Sequence, residues 1–159
     1  MPSRLSLADR RRPTDCLGQL TGKLNPMSTL KDPGVRDLLE HPNYAVISTL
    51  NANGAIHNTV VWINAEGSDK VAVNSAVGRL WPTNLQRDPR VSVLVFDAGD
   101  AYHFLEIRGT ATGSLEDADE HIDALTKKYT NQDEYPNRQP GEQRIKFVIT
   151  PEHIRYRGS

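Results

Sequence analysis

The sequence predicts a mainly β domain of the α+β class, an antiparallel sheet closing toward a barrel with short helices inserted. Three observations carry this. Short segments rich in β-branched residues follow one another at hairpin distances, Asn53-Gly54 supplies a strong hairpin turn, and Leu115–Tyr129 reads as the best-formed helix. A chain of 159 residues is long enough for one domain with a core of its own.

The elements follow in order. Asp32-Pro33 starts and His41-Pro42 stops a short helix over Val35–Glu40, with Leu38 and Leu39 on its apolar side. Tyr44–Leu50 is a strand, and Ile56–Asn64 returns from the Asn53-Gly54 turn. Lys70–Asn74 is a third strand with Val71 and Val73 inward. A short helix lies between Gly78 and Arg87, where Pro82 is tolerated in the first turn and Asp88-Pro89 ends the run. Val91–Phe96 and Tyr102–Thr112 are strands. Leu115–Tyr129 is a helix with Ser114 as N-cap, acids early, Lys127-Lys128 late, and Ile122, Leu125 and Tyr129 as its stripe. Arg144–Ile149 and His153–Tyr156 close the sheet. Short connections imply antiparallel pairing, and closure removes exposed edges.

Composition narrows the function. No apolar run reaches the roughly 18 residues that span a bilayer, and no apolar segment follows Arg10-Arg11-Arg12 to make a secretory signal. Cys16 is the single cysteine, which fits a reducing cytoplasm and excludes an internal disulfide. Net charge is −1, but residues 1–26 carry five Lys/Arg against two Asp/Glu, and the rest fourteen against eighteen. Such an acidic body argues against nucleic-acid binding. Residues 1–26 are read as a disordered extension, and 27–159 as the folded domain. The five histidines lie at no metal-ligand spacing, and neither a dinucleotide-binding glycine motif, a phosphate-binding P-loop nor a serine-hydrolase elbow is present.

Two stretches can carry chemistry. In the first, the strand ending at Asn74-Ser75 runs through Gly78-Arg79 into a helix containing Trp81 and Asn84. A helix start offers unpaired N–H groups and about half a positive charge to an anion, and Arg79 adds a full charge. The same residues also fit a plain turn in which Asn74 and Ser75 satisfy backbone and Arg79 lies over Trp81. In the second, Ile56–Trp62, alternation puts Asn58, Val60 and Trp62 on one face and His57, Thr59 and Val61 on the other. A face with one large aromatic and small polar groups suits a flat ring, and equally suits core packing. A third strand, Tyr102–Gly109, pairs Glu106 with Arg108 on one surface.

In this order and spacing, the segments resemble one family. They are Tyr44–Leu50 with Asn53-Gly54, Val60-Val61-Trp62, Gly78-Arg79, Asn84-Leu85 with Arg87–Val91, and Glu106–Gly109. Ala118 with His121-Ile122-Asp123, Lys128-Tyr129, and Pro140-Gly141-Glu142 with Arg144 complete the set. Together they resemble the pyridoxamine 5′-phosphate oxidase-like split β-barrel proteins, and within these the coenzyme F420-dependent oxidoreductases. The resemblance implies a flavin-binding type of split barrel, a homodimer with cofactor sites at the subunit interface, and coenzyme F420 or flavin mononucleotide as cofactor. It places phosphate near Asn74, Ser75, Arg79, Trp81 and Asn84, and the ring along Thr59, Val60, Val61 and Trp62. The implied chemistry is hydride transfer to a small, planar, apolar acceptor, with the cofactor carrying the reaction, so no acid–base dyad is expected. Neither nucleic acid nor membrane is an expected partner.

One departure stands out: relatives place a lysine where this chain has Trp81. A charge-assisted contact is worth about 1.5–3 kcal/mol, which the indole does not replace. Two further readings therefore stay open on the sequence. One is a flavin mononucleotide-binding relative, and the other a non-catalytic split-barrel ligand-binding protein.

Overall fold

The Asn-Gly turn sets the first hairpin. In the computed structural model, which describes residues 28–158, Gly54 adopts φ 83°, and the Asn53 side chain accepts the Ala55 N–H at 3.0 Å. This left-handed position admits glycine at no steric cost. The turn joins β1 (Ala45–Leu50) to β2 (Ile56–Val61) in register Val46 with Val60 and Leu50 with Ile56. The expectation for residues 1–26 lies outside the described residues.

Seven strands form one antiparallel sheet in the order β2-β1-β5-β6-β7-β4-β3. The others are β3 (Ile63–Glu66), β4 (Lys70–Ala76), β5 (Arg90–Phe96), β6 (Phe104–Ser114) and β7 (Arg144–Arg157). Three short helices accompany them: α1 (Pro33–Glu40), α2 (Leu80–Arg87) and α3 (Ala118–Thr130). This is the curled, half-barrel sheet of an α+β split barrel.

The segment expected as one strand, Ile56–Asn64, is two. β2 is one edge of the sheet and β3 the other, and the chain passes between them through the single residue Trp62. The side-chain alternation survives the crossing, so Val61 and Ile63 are both buried while Val60 is exposed. Pattern alone therefore cannot reveal it. One covalent step joins the two edges and closes the curl.

Conversely, the two closing strands expected at Arg144–Ile149 and His153–Tyr156 are one bent strand. β7 pairs β4 over Arg144–Ile149 and β6 over Lys146–Arg157, with a bulge where Arg108 pairs His153 and Gly109 pairs Pro151. Pro151 has no N–H to offer a ladder, so a bulge is where it belongs. Gly109 is obligatory opposite it, because a Cβ there would sit 2.1 Å from the Thr150 carbonyl oxygen.

The inward residues of the strands, among them Ile47, Val93, Leu105, Ile107, Phe147 and Val73, make one core with Leu38 and Leu39 of α1 and Trp81 and Leu85 of α2. α1 packs on β3, β5 and β6, and α2 on β1 and β6. Helix α3 is not part of that core. It lies across the other face of β4 and β7, where β4 presents the small buried residues Ala72 and Ala76. Ser114 is not its N-cap. Asp117 holds that position at φ 55°, and the Ser114 hydroxyl accepts the Glu116 N–H in the turn before it. The chain needs this extra turn to leave β6 and swing onto the outer face. The Glu106–Arg108 pairing is present at 3.3 Å. Among the described residues, no helix is long and apolar enough to cross a membrane.

Candidate functional site

A cavity of about 250 Å³ opens where the chain crosses from β2 to β3. Eight of the nine residues that the resemblance places around a cofactor line it. Thr59, Val60, Val61 and Trp62 come from the crossing, Asn74 and Ser75 from the end of β4, and Arg79 and Trp81 from the start of α2. These segments come together because β4 pairs with β3, Ile63 opposite Val73, which sets the crossing beside the end of β4.

Asn84 is elsewhere. Its side chain is buried and donates to Thr49 Oγ1 at 3.1 Å and to Asn51 Oδ1 at 2.8 Å, tying α2 to the end of β1. A phosphate in the cavity has no access to those N–H groups. Asn58, read as a polar group for a ring, accepts a hydrogen bond from Ser48 on the exposed face and does not line the cavity.

At the ring-side wall, Trp62 stacks on Tyr129 of α3, with ring centres 5.1 Å apart and planes within 9°. Tyr135 meets the same indole edge-on at 6.4 Å. The Tyr129 hydroxyl donates to the Asn43 carbonyl at 2.6 Å and accepts the Ile63 N–H at 3.1 Å, and burial pushes its pKa up to about 12. Next to it, Lys128 Nζ donates to the carbonyls of Leu39 and Ile63 at 2.5 and 2.7 Å. Burial lowers its pKa to about 8, partly offset by the charge of Glu40. Together these two side chains pin the crossing to α1 and α3.

At the polar wall, Ser75 Oγ is buried with no hydrogen-bond partner, the one such side-chain atom among the described residues. Buried hydroxyls are normally paired, and this orphan belongs to a residue that lines the cavity. Gly78 turns the chain at φ 89° with open space where a Cβ would sit. Helix α2 then begins at Arg79 without a side-chain cap, which leaves the Leu80 and Trp81 N–H groups free of intrahelical partners. The Arg79 guanidinium is half exposed and lies 3.6 Å from Glu142. Trp81 turns its ring onto Phe147, with centres 5.5 Å apart, and is 5% exposed. It brings no charge to the wall.

Behind this wall runs a polar chain that the sequence did not reveal. Arg144, 3% exposed, donates from Nε to Asn74 Oδ1 at 2.9 Å and from one terminal nitrogen to Glu142 at 2.7 Å. Its guanidinium also lies over the Tyr135 ring. Asn74 Nδ2 donates to the Ala118 carbonyl at 2.8 Å and faces His121 Nδ1 at 3.2 Å. His121 Nε2 faces Asn64 Oδ1 at 2.9 Å. An acceptor at one ring nitrogen and a donor at the other fix the neutral tautomer protonated on Nε2. Burial, with the positive charges of Lys146 and Arg144 against that of Glu66, holds the His121 pKa down at about 4. Tyr44, Ile122, Leu125 and Asn137 complete the lining. Arg144 stood within a motif, but burial of an arginine at a strand start has no signature in one sequence.

Residues 32–158 match the family model described as pyridoxamine 5′-phosphate oxidase. The chain belongs to this family. Solved structures agree in fold. A protein titled F420 reductase aligns at TM-score 0.65 and 22% identity over 76% of this chain and 94% of its own. A conserved hypothetical protein, Rv2991 of Mycobacterium tuberculosis, aligns at 0.61 and 20% over 76% and 80%. A putative pyridoxamine 5′-phosphate oxidase of Listeria innocua aligns at 0.58 and 22% over 77% and 93%. A search of curated proteins found no match. Family membership makes the chain an oxidoreductase-like split barrel, and the neighbours share its fold.

The residues present fit the anionic end of such a cofactor. The Arg79 guanidinium and the uncapped start of α2 offer two kinds of donor at one wall, to which Ser75 also belongs with its orphaned hydroxyl buried behind the surface. Among the described residues, no group of three or more His, Cys, Asp or Glu side chains is gathered as for a metal ion.

Proposed function

We propose that this family member is a coenzyme F420-dependent oxidoreductase, working in the cytoplasm, that reduces a small planar apolar acceptor. The observation that carries the reading is the unpartnered Ser75 hydroxyl in the same cavity as Arg79 and the Val60–Trp62 strand. Donors for a phosphoryl group thus sit at one end, and backbone with an aromatic wall at the other. F420, when bound, supplies the hydride, and the protein supplies position and a dry surface.

Each wall has a task. Ser75 Oγ, Arg79 and the α2 N–H groups hold the anionic end. Thr59, Val60 and Val61 line the ring side, with Thr59 Oγ1 held 2.8 Å from His57 Nε2. The Trp62–Tyr129 stack keeps the crossing rigid, so that the ring side keeps its distance from the anion side.

A cavity of about 250 Å³ falls below the roughly 300–1,000 Å³ of a whole ligand pocket, so we read it as half of a site completed by a second copy. The outer sheet face supports a homodimer. Ile56, Val60 and Leu94 are exposed there, with Val46 between Val60 and Leu94 in the register. Val60 belongs both to this face and to the cavity rim, so a copy seated on the face also walls the cavity.

The test is titration of the purified protein with F420 and with flavin mononucleotide, followed by fluorescence and calorimetry. F420 binding at micromolar concentration is the expected result. Binding of flavin mononucleotide alone would make the protein a flavin-dependent member. Binding of neither would leave a non-catalytic ligand-binding barrel, the reading that Trp81 favours.

A further inference from the structure

Arg79 and Arg144 reach the cavity from different elements, yet one carboxylate touches both. Glu142 Oε1 lies 2.7 Å from a terminal nitrogen of Arg144, and Oε2 lies 3.6 Å from a terminal nitrogen of Arg79. The two oxygens of a carboxylate are about as far apart as two oxygens of a phosphoryl group. Glu142 therefore marks a place where one small anion bridges two guanidinium groups. We propose that Arg144 is the second cation of the anion site, standing in for the charge that Trp81 lacks, and that Glu142 is a built-in counter-anion displaced by the ligand's phosphoryl group.

The surroundings of Arg144 suit this role. Its side chain is 2% exposed, its aliphatic stem and charge are enclosed, and Nε is fixed by Asn74 while Tyr135 covers one guanidinium face. Guanidinium carries five N–H donors, of which Asn74 and Glu142 engage two. A buried cation needs a compensating anion, and Glu142, itself only 9% exposed, supplies it in the free protein. Ser75 Oγ, buried and unpartnered in the same cavity, is an independent sign that something polar belongs there.

The exchange sets a selectivity. A single carboxylate entering the site gains no more from the two arginines than Glu142 already gives them. A phosphoryl group carrying close to two negative charges gains more, and with three acceptor oxygens it also reaches Ser75 Oγ and the α2 N–H groups. The ligand class selected is thus a terminal phosphate over a carboxylate.

This inference rests on the cofactor reading above, and its test separates the two. Wild type, Glu142→Gln and Arg144→Gln are titrated by calorimetry with F420, flavin mononucleotide, riboflavin and inorganic pyrophosphate, each protein first checked for folding by circular dichroism. Glu142→Gln, close in shape but uncharged, should tighten the phosphate-bearing ligands about tenfold, and Arg144→Gln should weaken them at least tenfold. Riboflavin, which has the ring without the phosphate, should respond to neither change. If Arg144→Gln fails to fold, Arg144→Lys takes its place with a smaller expected loss, since an ammonium lacks the planar fork. Pyrophosphate reads the two arginines without any ring. Tighter pyrophosphate binding by Glu142→Gln, with no cofactor bound by any variant, would sink the cofactor reading and leave the arginine pair standing. Unchanged or weaker phosphate binding by Glu142→Gln overturns the inference, even if the wild type binds F420.

Discussion

His121 makes the site's support sensitive to acid, and the size of the effect follows from its setting. The ring is 6% exposed, accepts from Asn74 at Nδ1 and donates to Asn64 from Nε2. Protonation puts a second N–H against the Asn74 amide, which is itself a donor, so the contact is lost. Burial, reinforced by Lys146 and Arg144, lowers the pKa from the ordinary 6.5 to about 4. The unfolded chain therefore takes up the proton first as pH falls. Stability contributed by neutral His121 is complete above pH 6.5 and declines between 6.5 and about 4. The slope reaches at most about 1.4 kcal/mol per pH unit, for a total of about 3 kcal/mol over the window. His121→Gln keeps one donor and one acceptor but does not titrate. Urea unfolding of wild type and His121→Gln at half-unit steps from pH 4 to 7.5 measures the difference directly, because carboxylates shared by both proteins cancel. The wild type should lose about 3 kcal/mol more than the variant across that range. Parallel pH profiles would refute the assignment of a buried neutral imidazole and the tautomer drawn from it.

Three other substitutions divide site from scaffold. Asn84→Ala should cost about 2 kcal/mol in denaturant unfolding by leaving Thr49 and Asn51 without their partner, while cofactor affinity stays unchanged; a large affinity loss would return Asn84 to the site. Trp81→Lys should lower stability by about 3 kcal/mol, the scale of removing a buried aromatic from Phe147, yet tighten a phosphate-bearing cofactor about tenfold. Weaker binding in that variant would show that the indole itself touches the cofactor. Leu94→Asp, on the exposed sheet face, should convert a dimer to a folded monomer in sedimentation and weaken cofactor binding with it; a monomeric wild type would refute the dimer.

Local chemistry explains which parts of this were legible in the sequence. Turns and strands were readable wherever one residue type has a steric reason to be there, as at Asn53-Gly54 and Asp88-Pro89. The break at Trp62 was not, because a strand that moves from one sheet edge to the other keeps its alternation, and only its hydrogen-bonding partners change. The bend of β7 was misread as a gap because Pro151 and Glu152 resemble a turn, whereas the structure absorbs them in a bulge opposite Gly109. Ser114 looked like a cap on residue type alone, but the cap is set by where the chain must turn, three residues later. In the site, residues near the motif in sequence came together in the cavity, with Asn84 the exception: a polar side chain facing a cavity and one facing a neighbouring strand look alike in a sequence. Arg144 and His121 both meet Asn74, and His121 also Asn64, across more than forty residues of sequence, and such pairings exist only once the sheet order is known.

That sheet order also bears on how the molecule is made. β7 lies between β6 and β4, so it is the seam that joins β2-β1-β5-β6 to β4-β3. It is also the last strand of the described chain to be synthesised. Until Arg144 and the residues after it emerge, the nascent protein holds two half-sheets with β6 and β4 as open, unpaired edges, tethered through Trp62 and through α2, which leads from β4 to β5. Long-range closure of this kind makes for slow folding, and open edges invite pairing with other chains. Premature termination before β7 should therefore yield aggregation rather than a smaller folded barrel.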